Sequence, residues 1–163
     1  MLKLNLMRYK KERIEHKILL CYHCRMEDNT KVIFAELVAR AVAAARNAYC
    51  PYSNYRVGAA ALAEDGTVFV GCNVENASYG LTVCAERNAV FAAVASGVRK
   101  IKAVALVAGS VDAPATPCGA CRQVLAEFCA PETPVCCATL EGEIVLETTV
   151  GELLPAAFAL KQN

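Results

Sequence analysis

The order of its periodic segments predicts an α/β fold, with one mixed five-stranded sheet and helices packed on its faces. Three observations carry that expectation. The chain has 163 residues, one domain's worth and enough to bury a real core. Its hydrophobic fraction of 56% against 20% charged residues belongs to an apolar-rich globule and excludes a disordered chain. Segments with helical spacing alternate with short apolar runs of strand length, in the order α-β-β-α-β-α-β-β, without repeats or linkers.

Taken in order, Asn29 or Thr30 caps a first helix that carries Phe34, Leu37, Val38, Ala41, Val42 and Ala45 on one stripe, and Pro51 bounds it. Val57–Leu62 and Val68–Val70 flank Glu64-Asp65-Gly66, a hairpin signal in which Asp-Gly supplies the positive φ. Cys84–Ser96 reads as a helix closed by Gly97, with Val90, Phe91 and Val94 facing inward. Ile101–Ala108, almost wholly apolar, is a buried strand. Cys118–Cys129 is a helix introduced by Pro117, with Val124, Leu125 and Phe128 inward. Pro134–Leu140 and Ile144–Thr148 are strands around Glu141-Gly142, and Val150–Leu154 is a short closing helix.

Residues 1–25 carry seven Lys/Arg against two Glu; residues 26–163 carry ten basic and fourteen acidic residues. The expectation is a basic N-terminal extension over 1–25, with Met26 as a natural start, followed by one domain over 26–163. An acidic domain does not offer the basic face that a polynucleotide ligand needs. No apolar run approaches the ~20 residues that span a bilayer, and Ile18-Leu19-Leu20 is too short for a signal-peptide core, so a cytoplasmic protein is expected, with neither membrane nor nucleic acid among its partners. Ten cysteines in a chain without export signals point to metal binding and burial before disulfides. Cys50, Cys72, Cys129, Cys136 and Cys137 lie in apolar or turn contexts and read as inert buried thiols. Cys21-Tyr22-His23-Cys24 lacks a distant partner pair, and such adjacent ligands rarely close a tetrahedron.

Cys84-Ala85-Glu86 and Pro117-Cys118-Gly119-Ala120-Cys121 each fall at the start of a predicted helix. Three thiolates with one open position are the ligand set of a catalytic zinc, whereas a structural zinc closes its fourth position with protein. Cys118 and Cys121 reach one ion from a single helical turn, and Cys84 locks the second helix to it. Helix N-termini favour anions, which eases thiol ionisation there. Glu86, two residues past Cys84, is placed beside the metal as a proton shuttle. Together the two segments match the zinc-deaminase pattern of a ligand-x-Glu element followed by Pro-Cys-x-x-Cys.

The wider sequence is similar to the small homotetrameric cytidine deaminases. That likeness runs over nearly all of 30–160. It is carried by Ala48-Tyr49-Cys50-Pro51-Tyr52-Ser53-Asn54-Tyr55, Val57-Gly58-Ala59-Ala60, Gly71-Cys72-Asn73-Val74-Glu75-Asn76-Ala77-Ser78-Tyr79, Cys84-Ala85-Glu86-Arg87, Pro117-Cys118-Gly119-Ala120-Cys121-Arg122-Gln123 and Leu153-Leu154-Pro155. The resemblance implies a three-layer α/β/α fold and, in pyrimidine salvage, hydrolytic deamination of free cytidine and 2'-deoxycytidine by a zinc-bound hydroxide, with Cys84, Cys118 and Cys121 as ligands and Glu86 as the catalytic acid–base.

The same resemblance implies the substrate contacts. Asn73 and Glu75 hold the ribose 3'-hydroxyl, and the Ala85 N–H binds the base's O2. Tyr55 packs on the pyrimidine where the family usually has Phe. Tyr79 and Phe158 reach into a neighbouring subunit's site, so a homotetramer with shared sites is expected. Asn88 stands where the family commonly has Thr. Arg87 is argued physically: three thiolates overcompensate a divalent ion, and a guanidinium donating to sulfur withdraws charge from them. Rival readings are a deaminase of another aminopyrimidine nucleoside such as blasticidin S, whose relatives lack the Asn73–Asn76 element, and a non-catalytic zinc-stabilised oligomer.

Overall fold

A computed structural model describes residues 30–160. The chain divides into two compact units, 1–35 and 36–163. The expected boundary after residue 25 and the Cys21–Cys24 cluster lie outside the described residues. All candidate site residues fall in the second unit.

Helix α1 covers 30–45. Leu37, Val38, Ala41 and Ala45 are buried as their spacing predicts, Ala44 joins them, and Phe34 is buried in the first unit. The helix stops before Pro51 requires it to, in a turn where the Asn47 N–H donates to the Ala44 carbonyl. Strands β1 (Gly58–Ala63) and β2 (Val68–Cys72) then form the expected hairpin, with Gly66 at φ 89°. Helix α2 (Ala85–Ala95) leads to β3 (Ile101–Val107). A small hairpin of β4 (Gly109–Ser110) and β5 (Ala113–Pro114) follows, then α3 (Gly119–Phe128), β6 (Pro134–Ala138), β7 (Ile144–Thr149) and α4 (Val150–Leu153). The β4–β5 hairpin and a 3-10 turn at Tyr79–Leu81 were not expected from the sequence, being too short for any periodic signal.

The sheet order is β2-β1-β3-β6-β7, with β3 and β6 parallel and the other neighbours antiparallel. This is the mixed five-stranded sheet expected. Two glycines show how it is covered. A Cβ on Gly58 would fall on the backbone of Ala41 and Ala45 in α1, and one on Gly71 would fall on the backbone of Ala85 and Ala89 in α2. Because Gly71 pairs with Ala59, the residue after Gly58, the two helices lie on opposite faces. The run Gly58-Ala59-Ala60-Ala61 is what permits both to approach so closely, since nothing larger than a methyl intervenes.

That approach corrects one expectation. Phe91 does not face inward; it is 47% exposed, and Val94 is only half-buried. The inward face of α2 is Ala85, Ala89, Val90 and Ala93, which pack with Ala59, Ala61, Val104 and Leu125. Small residues must meet the sheet where the backbones nearly touch, and the helical period then carries Phe91 outward. The far end of α2 closes as predicted: Gly97 at φ 95° donates to the Val94 carbonyl while the Val98 N–H donates to that of Ala93.

Candidate active site

The two motif segments meet where α2 and α3 begin. Val83 is held extended by a bridge to Val74, and Cys84 follows as the N-cap of α2, its carbonyl accepting the Asn88 N–H. Cys118, after Pro117, is the N-cap of α3, and its carbonyl accepts the Arg122 N–H. Neither cysteine caps its helix through the side chain, so both sulfurs remain free to point elsewhere.

They point at each other. The Cys84 and Cys118 sulfurs are 3.9 Å apart and those of Cys118 and Cys121 3.5 Å, with all three within 4.8 Å of one another. Tetrahedral zinc with Zn–S bonds of about 2.3 Å places its sulfurs roughly 3.8 Å apart, so this donor set fits that ion. Cys121 is buried, Cys84 half-buried and Cys118 exposed, leaving the cluster open on one side.

Charge around the sulfurs is graded. A hydrogen bond from Cys121, with the bond and charge of Arg87, holds the Cys84 thiol down at about 5. Cys121, as donor in that bond and buried, is pushed up. The Arg87 Nη2 donates to the Cys84 sulfur at 3.4 Å and to the Thr82 carbonyl at 3.2 Å, while its Nε is buried without a hydrogen-bond partner among the described residues. Glu86, at the second position of α2, is 4% exposed; burial first, and then the neighbouring Cys84 charge, raises its carboxyl above the usual range. Glu86 is thus a buried carboxyl next to Cys84 and Cys121 that readily takes up a proton.

The remaining candidates surround this centre. Asn73 is buried; its Oδ1 accepts the Val57 N–H at 2.9 Å and its Nδ2 donates to the Tyr55 carbonyl at 2.9 Å, so it pins the segment bearing Tyr55. The Glu75 carboxylate accepts the N–H groups of Tyr52 and Ser53 at 2.9 and 3.3 Å, and hydrogen bonds, that of the Ser53 side chain foremost, lower its pKa. Ala85 is fully buried at the first position of α2, where helix geometry leaves an N–H without an intrahelical partner. Tyr55 is half-exposed, and a side chain on Gly109 would press on its hydroxyl, which brings the β4–β5 hairpin to the site. Tyr79 and Phe158 are largely exposed. Tyr79 stands edge-on to Tyr52, 6.2 Å between centroids, above a cleft of about 390 Å³ lined also by Ser53, Glu75 and Thr82. Tyr52, Ser53 and Thr82 were missed from the sequence, though Tyr52 and Ser53 lie in the segment that Glu75 binds. A larger cavity of about 740 Å³ lies at the opposite ends of β3 and β6, by Ile101 and Pro134, and holds none of these residues.

Of the thiols expected to be buried, Cys50, Cys136 and Cys137 are, while Cys72 and Cys129 are half-buried. Burial pushes Cys129 and Cys136 up to about 12 and Cys137 to about 11, which keeps them protonated and unreactive.

Residues 33–137 match the family model for the cytidine and deoxycytidylate deaminase zinc-binding region. The chain is 55% identical to the cytidine deaminase of Sporosarcina psychrophila over 124 residues, covering 76% of this chain and 90% of that protein. It is 53% identical to that of Halalkalibacterium halodurans over 122 residues, covering 75% and 91%. Among solved structures, the cytidine deaminase from Burkholderia pseudomallei superposes with a TM-score of 0.71 at 50% identity, covering 76% of this chain and 97% of that one. The Mycobacterium tuberculosis enzyme gives 0.67 at 46%, covering 77% and 96%.

Proposed function

The chain belongs to the cytidine and deoxycytidylate deaminase zinc-binding family, and on that premise we propose that it hydrolyses free cytidine and 2'-deoxycytidine to the corresponding uridines, releasing ammonia. The observation that carries this reading is the trio of Cys84, Cys118 and Cys121 sulfurs at two helix starts beside the buried carboxyl of Glu86. Zinc bound there supplies Lewis acidity and a water that ionises near neutral pH.

Glu86 takes a proton from the attacking water and delivers it to N3 of the pyrimidine, which makes C4 electrophilic. As C4 becomes tetrahedral, Glu86 carries the second proton to the amino group, which departs as ammonia. One buried carboxyl that cycles protons without ligating metal suffices for both transfers. Arg87, donating to the Cys84 sulfur, offsets the excess charge of three thiolates around a divalent ion.

The ribose is held at Asn73 and Glu75, the base's O2 by the Ala85 N–H, and the ring face by Tyr55. Tyr79 and Phe158 complete the site of a neighbouring subunit in a homotetramer. The exposure of Tyr79 and Phe158 supports that assembly in that both side chains are free to reach another chain. A cytoplasmic role in pyrimidine salvage suits an enzyme of free nucleosides. Among the described residues no helix is long and apolar enough to cross a membrane.

The test is the fall in ultraviolet absorbance on adding cytidine, deoxycytidine or a cytosine-containing oligonucleotide, with zinc measured in the same sample. Turnover of both nucleosides by a zinc-loaded protein is expected. Zinc without turnover, or turnover confined to the oligonucleotide, would overturn the reading.

A further inference from the structure

Both zinc-facing helices open in the same unusual way. A helix normally fixes its first turn with a Ser, Thr, Asp or Asn side chain at the N-cap, and here that position is a cysteine that makes no capping bond. The lead-in to each sulfur must be fixed by something else. For Cys84 the Val83–Val74 bridge is joined by Arg87, whose guanidinium folds back on the carbonyl of Thr82, two residues before the cysteine. For Cys118 it is Arg122, one turn further along α3. Its Nε donates to the Pro117 carbonyl at 2.7 Å and its Nη2 to the Thr116 hydroxyl at 3.3 Å.

The two arginines differ in what else they hold. Arg87 turns to a sulfur, whereas the Arg122 Nη1 donates at 3.0 Å to the carbonyl of Leu153, the last residue of α4. A cation at a helix C-terminus is favourably placed, because the final carbonyls lack intrahelical partners. The next residue, Gln123, extends the tie: its Nε2 donates at 2.8 Å to the carbonyl of Phe158.

We propose that Arg122 is a positioning residue that joins the Cys118 ligand turn to the C-terminal segment 153–158, with Gln123 as the second point of attachment, so that sulfur geometry and the placement of Phe158 are set together. The inference rests on the reading of Cys84, Cys118 and Cys121 as zinc ligands and of Phe158 as a substrate contact. Loosening Arg122 frees the carbonyl before Cys118 and the end of α4 at once, so one substitution disturbs both metal retention and substrate binding. Loosening Gln123 frees only the segment that bears Phe158.

The experiment compares the zinc-loaded wild type with Arg122→Gln and Gln123→Ala, following zinc release to a chromogenic chelator and KM and kcat for cytidine, well below each melting temperature. Arg122→Gln is expected to speed zinc release about 10-fold and to raise KM several-fold, as loss of groups that orient metal ligands does. Arg122→Lys, which keeps the charge but reaches fewer of the three acceptors, restores both in part. Gln123→Ala raises KM and leaves zinc release at the wild-type rate. A purely structural Arg122 would lower the melting temperature and move neither readout, which would overturn the proposal; so would a folded Arg122→Gln that changes only one of them. If Arg122→Gln does not fold, Thr116→Val decides, since it removes one acceptor on the exposed lead-in: faster zinc release supports the tie and a wild-type rate overturns it. A wild type without zinc or deaminase activity would overturn the functional reading itself, an outcome distinct from an active, zinc-loaded wild type beside indifferent variants.

Discussion

Glu86 and Arg87 are neighbours in sequence with opposite tasks, and burial separates them. Glu86 points into the protein, 4% exposed, where lost hydration favours its protonated form, as the proposed proton carrier requires. Replacing it with Gln preserves shape and removes proton transfer. Zinc content and melting temperature are expected to stay at wild-type values while kcat falls by about 10²-fold or more; metal analysis beside steady-state kinetics checks this, and a variant with wild-type kcat would remove Glu86 from the reaction. Arg87 donates to the Cys84 sulfur and the Thr82 carbonyl. Arg87→Gln is expected to weaken zinc retention about 10-fold, measured by chelator competition. Residues of this kind were legible in the sequence because their spacing from Cys84 fixes where they stand on the first turn. The back-folded Arg122 was not, because its acceptors include Leu153, thirty-one positions away.

Helix α2 is positioned by what is missing beneath it. Gly71 lets the backbone of Ala85 and Ala89 rest on β2, and this seats the turn that carries Cys84 and Glu86. Gly71→Ala is expected to cost about 2 kcal/mol of stability, as overpacking does, and to lower zinc affinity with it; denaturant unfolding and metal titration test the two effects. The same close packing explains why the inward face of α2 departs from the sequence expectation: Phe91 is the largest apolar residue in its window, but only small residues fit against the sheet. Helix α4 was expected without a reason for its start. The structure supplies one in the reciprocal bonds of Thr149 and Glu152, a capping box readable as Thr-x-x-Glu. Thr149→Ala is expected to cost about 1 kcal/mol in the same unfolding experiment.

At the scale of the whole molecule, the proposed sharing of sites between subunits makes a prediction that no single chain can satisfy alone. On that proposal, a chain carrying Glu86→Gln lacks the proton carrier, and one carrying Phe158→Ala lacks the group it would offer its neighbour. Mixing and reassembling the two is expected to return part of the lost activity, because some sites then draw both intact groups from different chains. Activity equal to the sum of the separate variants would show each site to be self-contained. The sequence by itself determined the main sheet and its helices, the three cysteines that cluster and the family, because periodicity, turn residues and motif spacing act over a few neighbours. Tertiary structure alone decided that the sulfurs of Cys84 and Cys118 stand 3.9 Å apart, that Phe91 faces outward, and that Arg122 grips the C-terminal segment. Each depends on how closely two backbones approach, and that distance is set by packing between residues far apart in the chain.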